Sequence, residues 1–480
     1  MNNRNLVLYK LTYCKYRCRI AIMESIDQRV EELLKWIKNT QDEKISPSTH
    51  SYISPNIAVK DMKDFGRGIR AASPIKKKEM LLRIPHSFLL NFNTVVRHIS
   101  RYNDSIKLQE AYYTSIYVPY GEIQEDHYTK IYSRLTMEEM LGLSSFQLLS
   151  FYICFEKQRG SSSFWKPFID MLPETSDFDL APLVWKVLKV DHYEELLKLL
   201  PNSTKRHMDK IYDRFQTDYN VVKDLISIKL KEISDNERSN DLTDAIRHLV
   251  PIELYLWSWM CINSRCLYME IPQSKNAADN FTMAPYVDFL NHSCDDQCGL
   301  KIDGTGFQVY TTCSYNPDEQ LFLSYGPHSN EFLLCEYGFT LPENKWNDLD
   351  VSDYILPLMK PQQIEFLNDY SYYGEYTINE ESGMSFRTEV ALAVLQESIP
   401  EESRKLMALV NGYNDGSVYE RNSKTLLKKI LERVIHDCDT KCKLEYNDDN
   451  CSITQNRKKS IGILYNNKKA IAQKTILDID

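Results

Sequence analysis

The sequence predicts an α+β protein: a β-rich domain split by a helical insertion, then an all-α C-terminal unit. Three observations carry this. Short apolar runs broken by Gly and Pro cluster twice, near residues 45–85 and 285–325, the pattern of strands joined by tight turns. Between them, residues 91–250 are rich in Leu and Tyr and carry helical periodicity. Beyond residue 385 helical periodicity returns. Strands, helices, strands, helices is the order expected when one β-rich domain is interrupted by an insertion.

Composition narrows the function. The 480 residues leave room for two to four domains at roughly 100–200 residues each. Hydrophobic residues are 43% and charged residues 26%, enough apolar material for a sizeable core. With 58 basic against 67 acidic residues the net charge is −9, a poor match to phosphate backbones, so no nucleic-acid partner is expected. No apolar run approaches the roughly 20 residues of a membrane-spanning helix, so no membrane is expected either. The 12 Cys are scattered, which reads as reduced thiols in a cytoplasmic or nuclear compartment. Cys294, Cys298, Cys313 and Cys335 lack the C-x2-C spacing of zinc sites, so no metal is expected.

The elements follow in chain order. Residues 1–23 carry Arg4, Lys10, Lys15, Arg17 and Arg19, a leader or an optional basic extension. "ESIDQRVEELLKWIKN" places Ile26, Val30, Leu33, Leu34 and Ile37 at helical spacing. The stretch from "ISPNIAV" to "LLRIP" reads as two or three strands. "SSFQLLSFYICFEKQRG" is the clearest helix of the insertion, and residues 235–244 form a polar surface loop. "IELYLWSWMCINSRCL" is apolar on nearly all sides, so it is a buried helix. "KIDGTGFQVYTTC" is a hairpin with Gly304 at its tip, followed by the strand "EQLFLSYG". Residues 342–354 read as a hinge. Residues 387–400, 402–411 and 426–438 read as helices, and "QNRKKS" as a solvated basic face.

Four features carry chemistry. "FGRGI" is a Gly-x-Gly turn leaving a strand, where Gly66 and Gly68 admit a ligand close to the backbone. It lacks the third Gly and the helix of a dinucleotide site. "NSRC" ends the buried helix on Arg265, paired with a carboxylate of the protein or aimed at one on a ligand. "DFLNHSC" closes an apolar strand with Asn291 and His292, able to hydrogen-bond a flat heteroaromatic group and an amino group. "FLSYG" and "EYGF" set Tyr325, Tyr337 and Phe339 beside glycines.

In that order, "GRG", "SR", "DFLNHSC" and "EQLFLSYGPHSNEFLLCEYGF" resemble the SET-domain lysine methyltransferases. Within them the chain resembles the Rubisco large-subunit methyltransferase class, with its fungal ribosomal-protein and elongation-factor methyltransferases. The likeness is strongest over residues 286–339, and "EKQRGSSSFWKPFIDMLP" resembles the insertion of that class. The resemblance implies a SET fold with a pseudoknot. Its parts would be an N-terminal helix and first SET portion at 24–94, an insertion at 95–250, a second SET portion at 251–340 and a substrate-binding domain at 341–480. It implies S-adenosyl-L-methionine as cofactor, with Phe65, Gly66, Arg67 and Gly68 lining its pocket and Arg265 meeting its carboxylate. Asn291, His292 and Tyr325 would also bind it, and Tyr325 would be the catalytic tyrosine at the methyl-transfer channel. Tyr286, Tyr337 and Phe339 would line the channel of the substrate lysine. The partner implied is a protein carrying the target lysine, a ribosomal protein or elongation factor 1A, with the enzyme a monomer. Two other readings stand beside it: a protein-histidine methyltransferase, and a catalytically silent SET fold that serves as a binding module.

Overall fold

The computed structural model describes residues 25–38, 51–62, 66–108, 116, 125–233, 245–270, 280–295, 298–303, 306–444 and 452–479. The expectations for residues 1–23, Phe65, the loop at 235–244 and the hairpin tip at Gly304 lie outside the described residues.

Helix α1 (Ile26–Lys38) buries Leu33 and Ile37, as its spacing predicts. The first strand cluster forms four strands where two or three were expected. These are β1 (Tyr52–Ile53), β2 (Ile57–Met62), β3 (Gly66–Ala71) and β4 (Met80–Ile84). In β2 Ile57 and Val59 are buried, while Lys60 and Asp61 at its far end face solvent. The second cluster supplies β5 (Cys266–Tyr268), β6 (Phe281–Met283), β7 (Asn291–His292), β8 (Cys298–Asp303), β9 (Gly306–Thr311) and β10 (Gln320–Leu323).

Two four-stranded sheets, β1-β4-β9-β8 and β2-β3-β10-β7, each draw strands from both clusters. The β-domain is therefore closed only when the chain returns from the insertion. Pairing is antiparallel except between β10 and β7, where Phe322 faces Asn291 and Leu323 faces His292 in parallel register. That crossing sets the "NHSC" segment alongside the segment that runs into "SYG", the arrangement a SET pseudoknot requires.

The insertion is helical. Its helix α2 (Ser145–Arg159) starts on a capping box, Ser144 accepting from the Gln147 N–H. Glu156 is buried in this helix and accepts from Ser163 at 2.6 Å, Arg159 at 2.9 Å and Tyr132 at 3.1 Å. The "EKQRGSSSFW" stretch is thus held by one fully satisfied carboxylate. Helix α3 (Asn202–Ile233) runs 32 residues. Helix α4 (Ile252–Arg265) is buried from Tyr255 to Ile262, as expected. Ser258 of α4 donates to Ser150 O of α2 at 3.0 Å, and Trp259 Nε1 of α4 donates to Asp218 of α3 at 3.0 Å. These bonds fix where α4 ends, and so where Arg265 stands.

The C-terminal unit needs one correction: it is not all helical. The expected hinge contains β11 (Asp348–Asp350), which pairs with β12 (Thr377–Asn379), itself paired with β13 (Gly383–Met384). Strands of two or three residues are too short to show an alternating pattern. The helices that follow include Phe386–Val394, Arg404–Val410, α5 (Ser417–Leu444) and α6 (Ser452–Ile479). "QNRKKS" falls on α6, and it is not simply a solvated face, because Arg457 is buried and ion-paired with Asp179 of the insertion. The second hydrophobic core accordingly mixes Leu431 and Ile461 with Trp185 and Leu196 of the insertion. Among the described residues no helix is long and apolar enough to cross a membrane.

Candidate active site

The Gly-x-Gly motif enters strand β3 rather than leaving one. Gly66 opens the strand at φ +67°, a conformation that favours glycine. Gly68 is required for a different reason: a Cβ there would stand 2.8 Å from Asn291 Nδ2. That amide crosses β3 to donate to the carbonyl of Arg67 at 3.2 Å. The motif and "NHSC", 224 positions apart, are thus in direct contact.

Arg67 sends Nη1 to Met171 O at 2.8 Å and lies 5.9 Å from the Phe289 ring. Arg265, the last residue of α4, donates to Asp288 O at 2.6 Å and stands 3.4 Å from its carboxylate. The Asp288 side chain is only 1% exposed. Burial raises its carboxyl above the ordinary value, against the pull of Arg265 and Arg67. Burial also lowers Arg67, and the neighbouring Arg265 charge adds to that. Two guanidiniums therefore face one buried carboxylate, an imbalance that favours an anionic group nearby. The two sequence alternatives for Arg265 are not exclusive, since its Nε remains buried without a hydrogen-bond partner.

His292 has its Nδ1 3.1 Å from the backbone N–H of Tyr325. Because that N–H donates, Nδ1 carries no proton and Nε2 does. Nε2 is buried and unpartnered. Burial lowers the imidazole pKa, keeping the ring neutral. The ring stacks on Tyr325 at 5.0 Å, and Tyr325 stacks on Tyr337 at 5.3 Å. Phe339 closes the group, 6.2 Å from His292 and 6.1 Å from Tyr337. The Tyr325 hydroxyl donates to Leu290 O at 2.7 Å. Its burial pushes the phenol well above its ordinary pKa, and burial pushes Tyr337 up to about 12.

Arg265, Asp288, Leu290, Tyr325 and Tyr337 line one cleft, which with its mouth encloses about 570 Å³. Of the residues singled out in the sequence, Arg265, Tyr325 and Tyr337 line it directly. His292 and Phe339 back onto it through Tyr325 and Tyr337, while Gly68 and Asn291 meet each other and Arg67 beside it. Tyr286 stands apart: it is 2% exposed, holds φ +70° and packs its ring on Phe289 at 5.7 Å. Sequence reasoning missed Asp288 and Glu336 as site residues, although both sit inside quoted motifs. Each is an acid in an apolar run, which by itself does not mark a site.

A SET-domain family signature matches residues 66–326, and the signature "Ribosomal lysine N-methyltransferase 2 C-terminal domain" matches residues 347–478. Over 443 residues the chain is 32% identical to "Ribosomal lysine N-methyltransferase 2" of Saccharomyces cerevisiae, spanning 85% of this chain and 90% of that protein. It is 26% identical over 424 residues to "Ribosomal lysine N-methyltransferase set11" of Schizosaccharomyces pombe, spanning 87% and 90%. The solved "Structure of Rubisco LSMT bound to AdoMet" superposes with a TM-score of 0.52 at 15% identity, over 94% of this chain and 93% of that one, a likeness of fold. The split β-domain, the parallel β7–β10 crossing and the tyrosine-walled cleft define a SET domain. The chain belongs to the SET-domain protein lysine methyltransferases, in the class that joins this domain to a mainly helical C-terminal unit.

The cofactor of this family is S-adenosylmethionine, and the residues present fit it. A net positive pair of arginines suits its carboxylate. The buried, unpartnered Arg265 Nε, His292 Nε2 and Gln320 Nε2 offer polar atoms of the kind a nucleoside-bearing ligand satisfies.

Proposed function

We propose that this chain methylates a lysine of a ribosomal protein, with Tyr325 as the catalytic tyrosine. The observation that carries the reading is the ring stack His292–Tyr325–Tyr337, whose two tyrosines line the same cleft as Arg265. Gly66, Arg67, Gly68, Arg265, Asn291 and His292 would hold the cofactor, and Phe65 would join them. Tyr337 and Phe339 would wall the lysine, while Tyr286 packs on Phe289 instead. When bound, S-adenosylmethionine supplies a methyl group on a positively charged sulfur, open to direct displacement.

What the chain must add is orientation and a neutral amine. A lysine with pKa near 10.4 costs about 4–5 kcal/mol to deprotonate at pH 7. Tyr325, Tyr337 and Phe339 lower that cost by desolvating the ammonium form. The Tyr325 hydroxyl stays protonated and is anchored on Leu290 O, so its ring is fixed for the incoming amine. It orients and does not act as a base.

Both yeast relatives carry ribosomal names, which supports a ribosomal protein over elongation factor 1A. The unit at 341–480 would engage that protein, with the enzyme acting as a monomer in the cytoplasm or nucleus. The test is incubation of the purified chain with S-adenosylmethionine and unmodified ribosomes, then peptide mass spectrometry. A methylated ribosomal lysine is expected. Label confined to histidine, or absent from every ribosomal protein, would end this reading.

A further inference from the structure

The wall of the cleft is fixed from outside by one buried carboxylate. Glu336 immediately precedes Tyr337 in the π-helical turn Leu333–Tyr337, a widened turn frequent at functional sites. Its side chain is 9% exposed. Asn263 Nδ2 donates to Glu336 Oε2 at 2.7 Å and to the backbone oxygen of the same residue at 2.8 Å. Arg214 Nη2 reaches Oε2 at 3.3 Å and Asn263 Oδ1 at 2.7 Å. His207 Nε2 stands 3.0 Å from Oε1. Burial alone would raise this carboxyl, but His207, Arg214 and Asn263 outweigh it and hold it below the ordinary value. Glu336 is therefore ionised and gripped from two helices, His207 and Arg214 on α3 and Asn263 on α4.

Asn263 lies two residues before Arg265. One amide thus ties the turn carrying Tyr337 to the helix end carrying Arg265. Tyr337 needs such a tie. Among the described residues no hydrogen bond holds its hydroxyl, and its ring is placed by packing on Tyr325 at 5.3 Å, Phe339 at 6.1 Å and His328 at 6.3 Å. A buried ionic network adds little net stability over well-packed apolar side chains. A reactive site, in contrast, needs its rings held within about 0.5 Å. The network has the form of a positioning device.

We propose that Glu336 is a positioning residue of the lysine tunnel, fixing the gap between Tyr337 and Tyr325 and so limiting how many methyl groups the amine can carry and still fit. This rests on the lysine-transfer reading of the cleft. Each methyl added to the amine enlarges it, while the facing rings set the room available.

The test uses the full chain and the Glu336→Gln variant, which keeps the shape and removes the charge. A melting temperature and a donor affinity close to wild type are expected, the latter within about twofold. Turnover should fall about tenfold, and mass spectrometry should show the product distribution shifted by at least one methyl group. Arg214→Ala serves if Glu336→Gln folds poorly, because Arg214 is 47% exposed. It should shift the distribution the same way, with turnover about threefold lower. Wild-type turnover and distribution in a folded variant would overturn the proposal. If the wild-type chain methylates no lysine, the reading of the cleft falls, and the clamp is judged by a crystal structure of Glu336→Gln. There, a displaced Tyr337 ring supports the clamp and an unmoved one overturns it.

Discussion

Replacing Gly68 by alanine tests the cofactor pocket with a single carbon. The new Cβ would sit 2.8 Å from Asn291 Nδ2, 3.1 Å from Met62 Cγ and 3.2 Å from Gln320 Nε2. Ordinary contacts of this kind need about 3.5–4.0 Å. The Asn291 amide must therefore retreat by more than half an ångström, roughly the difference between those separations. Its bond to Arg67 O is already 3.2 Å long, so the retreat breaks it. Losing that bond costs about 0.5–1.5 kcal/mol. Crowding Met62 and Gln320 adds about 1–3 kcal/mol. The stability loss should fall between about 1.5 and 4.5 kcal/mol, read as a shift in the urea midpoint. The displaced amide should also weaken S-adenosylmethionine binding by about 1–1.4 kcal/mol, five- to tenfold in calorimetry. Gly66→Ala is the contrast, with φ +67° and nothing within 4 Å of the added carbon. It should lose about 1–2 kcal/mol of stability through backbone strain, with a smaller loss of donor affinity than Gly68→Ala, since no side-chain amide is displaced. Identical donor affinity in wild type and Gly68→Ala would refute the placement of Asn291 in the pocket.

Tyr325→Phe removes the donor to Leu290 O and should lower turnover at least about 100-fold, with donor affinity within about threefold. More than a tenth of wild-type turnover would remove Tyr325 from the mechanism. His98 is buried against Trp165 and Phe164, and its pKa is pushed down to about 3 by burial, then by Arg101, Arg97 and Arg159. A lowered pKa means that the stability it contributes is present above about pH 6.5 and is lost as pH falls toward the folded value. His98→Phe should flatten the acid limb of the stability curve by up to about 1.4 kcal/mol per pH unit. An unchanged slope in urea titrations from pH 6.5 to 4 would refute this. Arg457→Met strips the partner from Asp179, which is 31% exposed. The loss should be about 2–3 kcal/mol, below that of a fully buried pair. A loss under about 0.5 kcal/mol would show that α6 docks without that pair.

The parts of the fold that were legible have a period or a punctuation. Helix α1, helix α4 and the β8–β9 hairpin are each announced by spacing or by a Gly, and local physics decides them. The sheet orders were not legible, because β4 meets β9 across more than 200 residues of chain and no local pattern encodes that pairing. Helix α6 was missed because its buried positions are set by tertiary partners, helix α5 alongside it and Asp179 and Leu199 O of the insertion. The site divides the same way. Gly66, Asn291 and Tyr325 stand out as residue types whose conformation or polarity is costly in a strand end. Asp288 and Glu336 do not, since an acid in an apolar run acquires meaning only when Arg265 or Asn263 arrives from another element.

The protonation states at the cleft make one further demand on the reaction. Tyr325 and Tyr337 are pushed up by burial, Tyr337 to about 12, so neither ionises below pH 10. His292 and His328 are lowered by burial and stay neutral above pH 7. His292 Nδ1 accepts from the Tyr325 N–H, and His328 Nε2 lies 3.1 Å from the Tyr325 carbonyl. Glu336 is held ionised by its donors. None of these groups titrates between pH 7 and 10, so the pH dependence in that range falls to the substrate amine. The neutral fraction of a lysine with pKa near 10.4 rises tenfold per pH unit in that range. The observed kcat/KM should therefore climb with unit slope from pH 7 toward 10, provided the fold survives. A plateau beginning near pH 7.5 would reveal a titrating group on the enzyme, and the orientation-only role of Tyr325 would have to be abandoned.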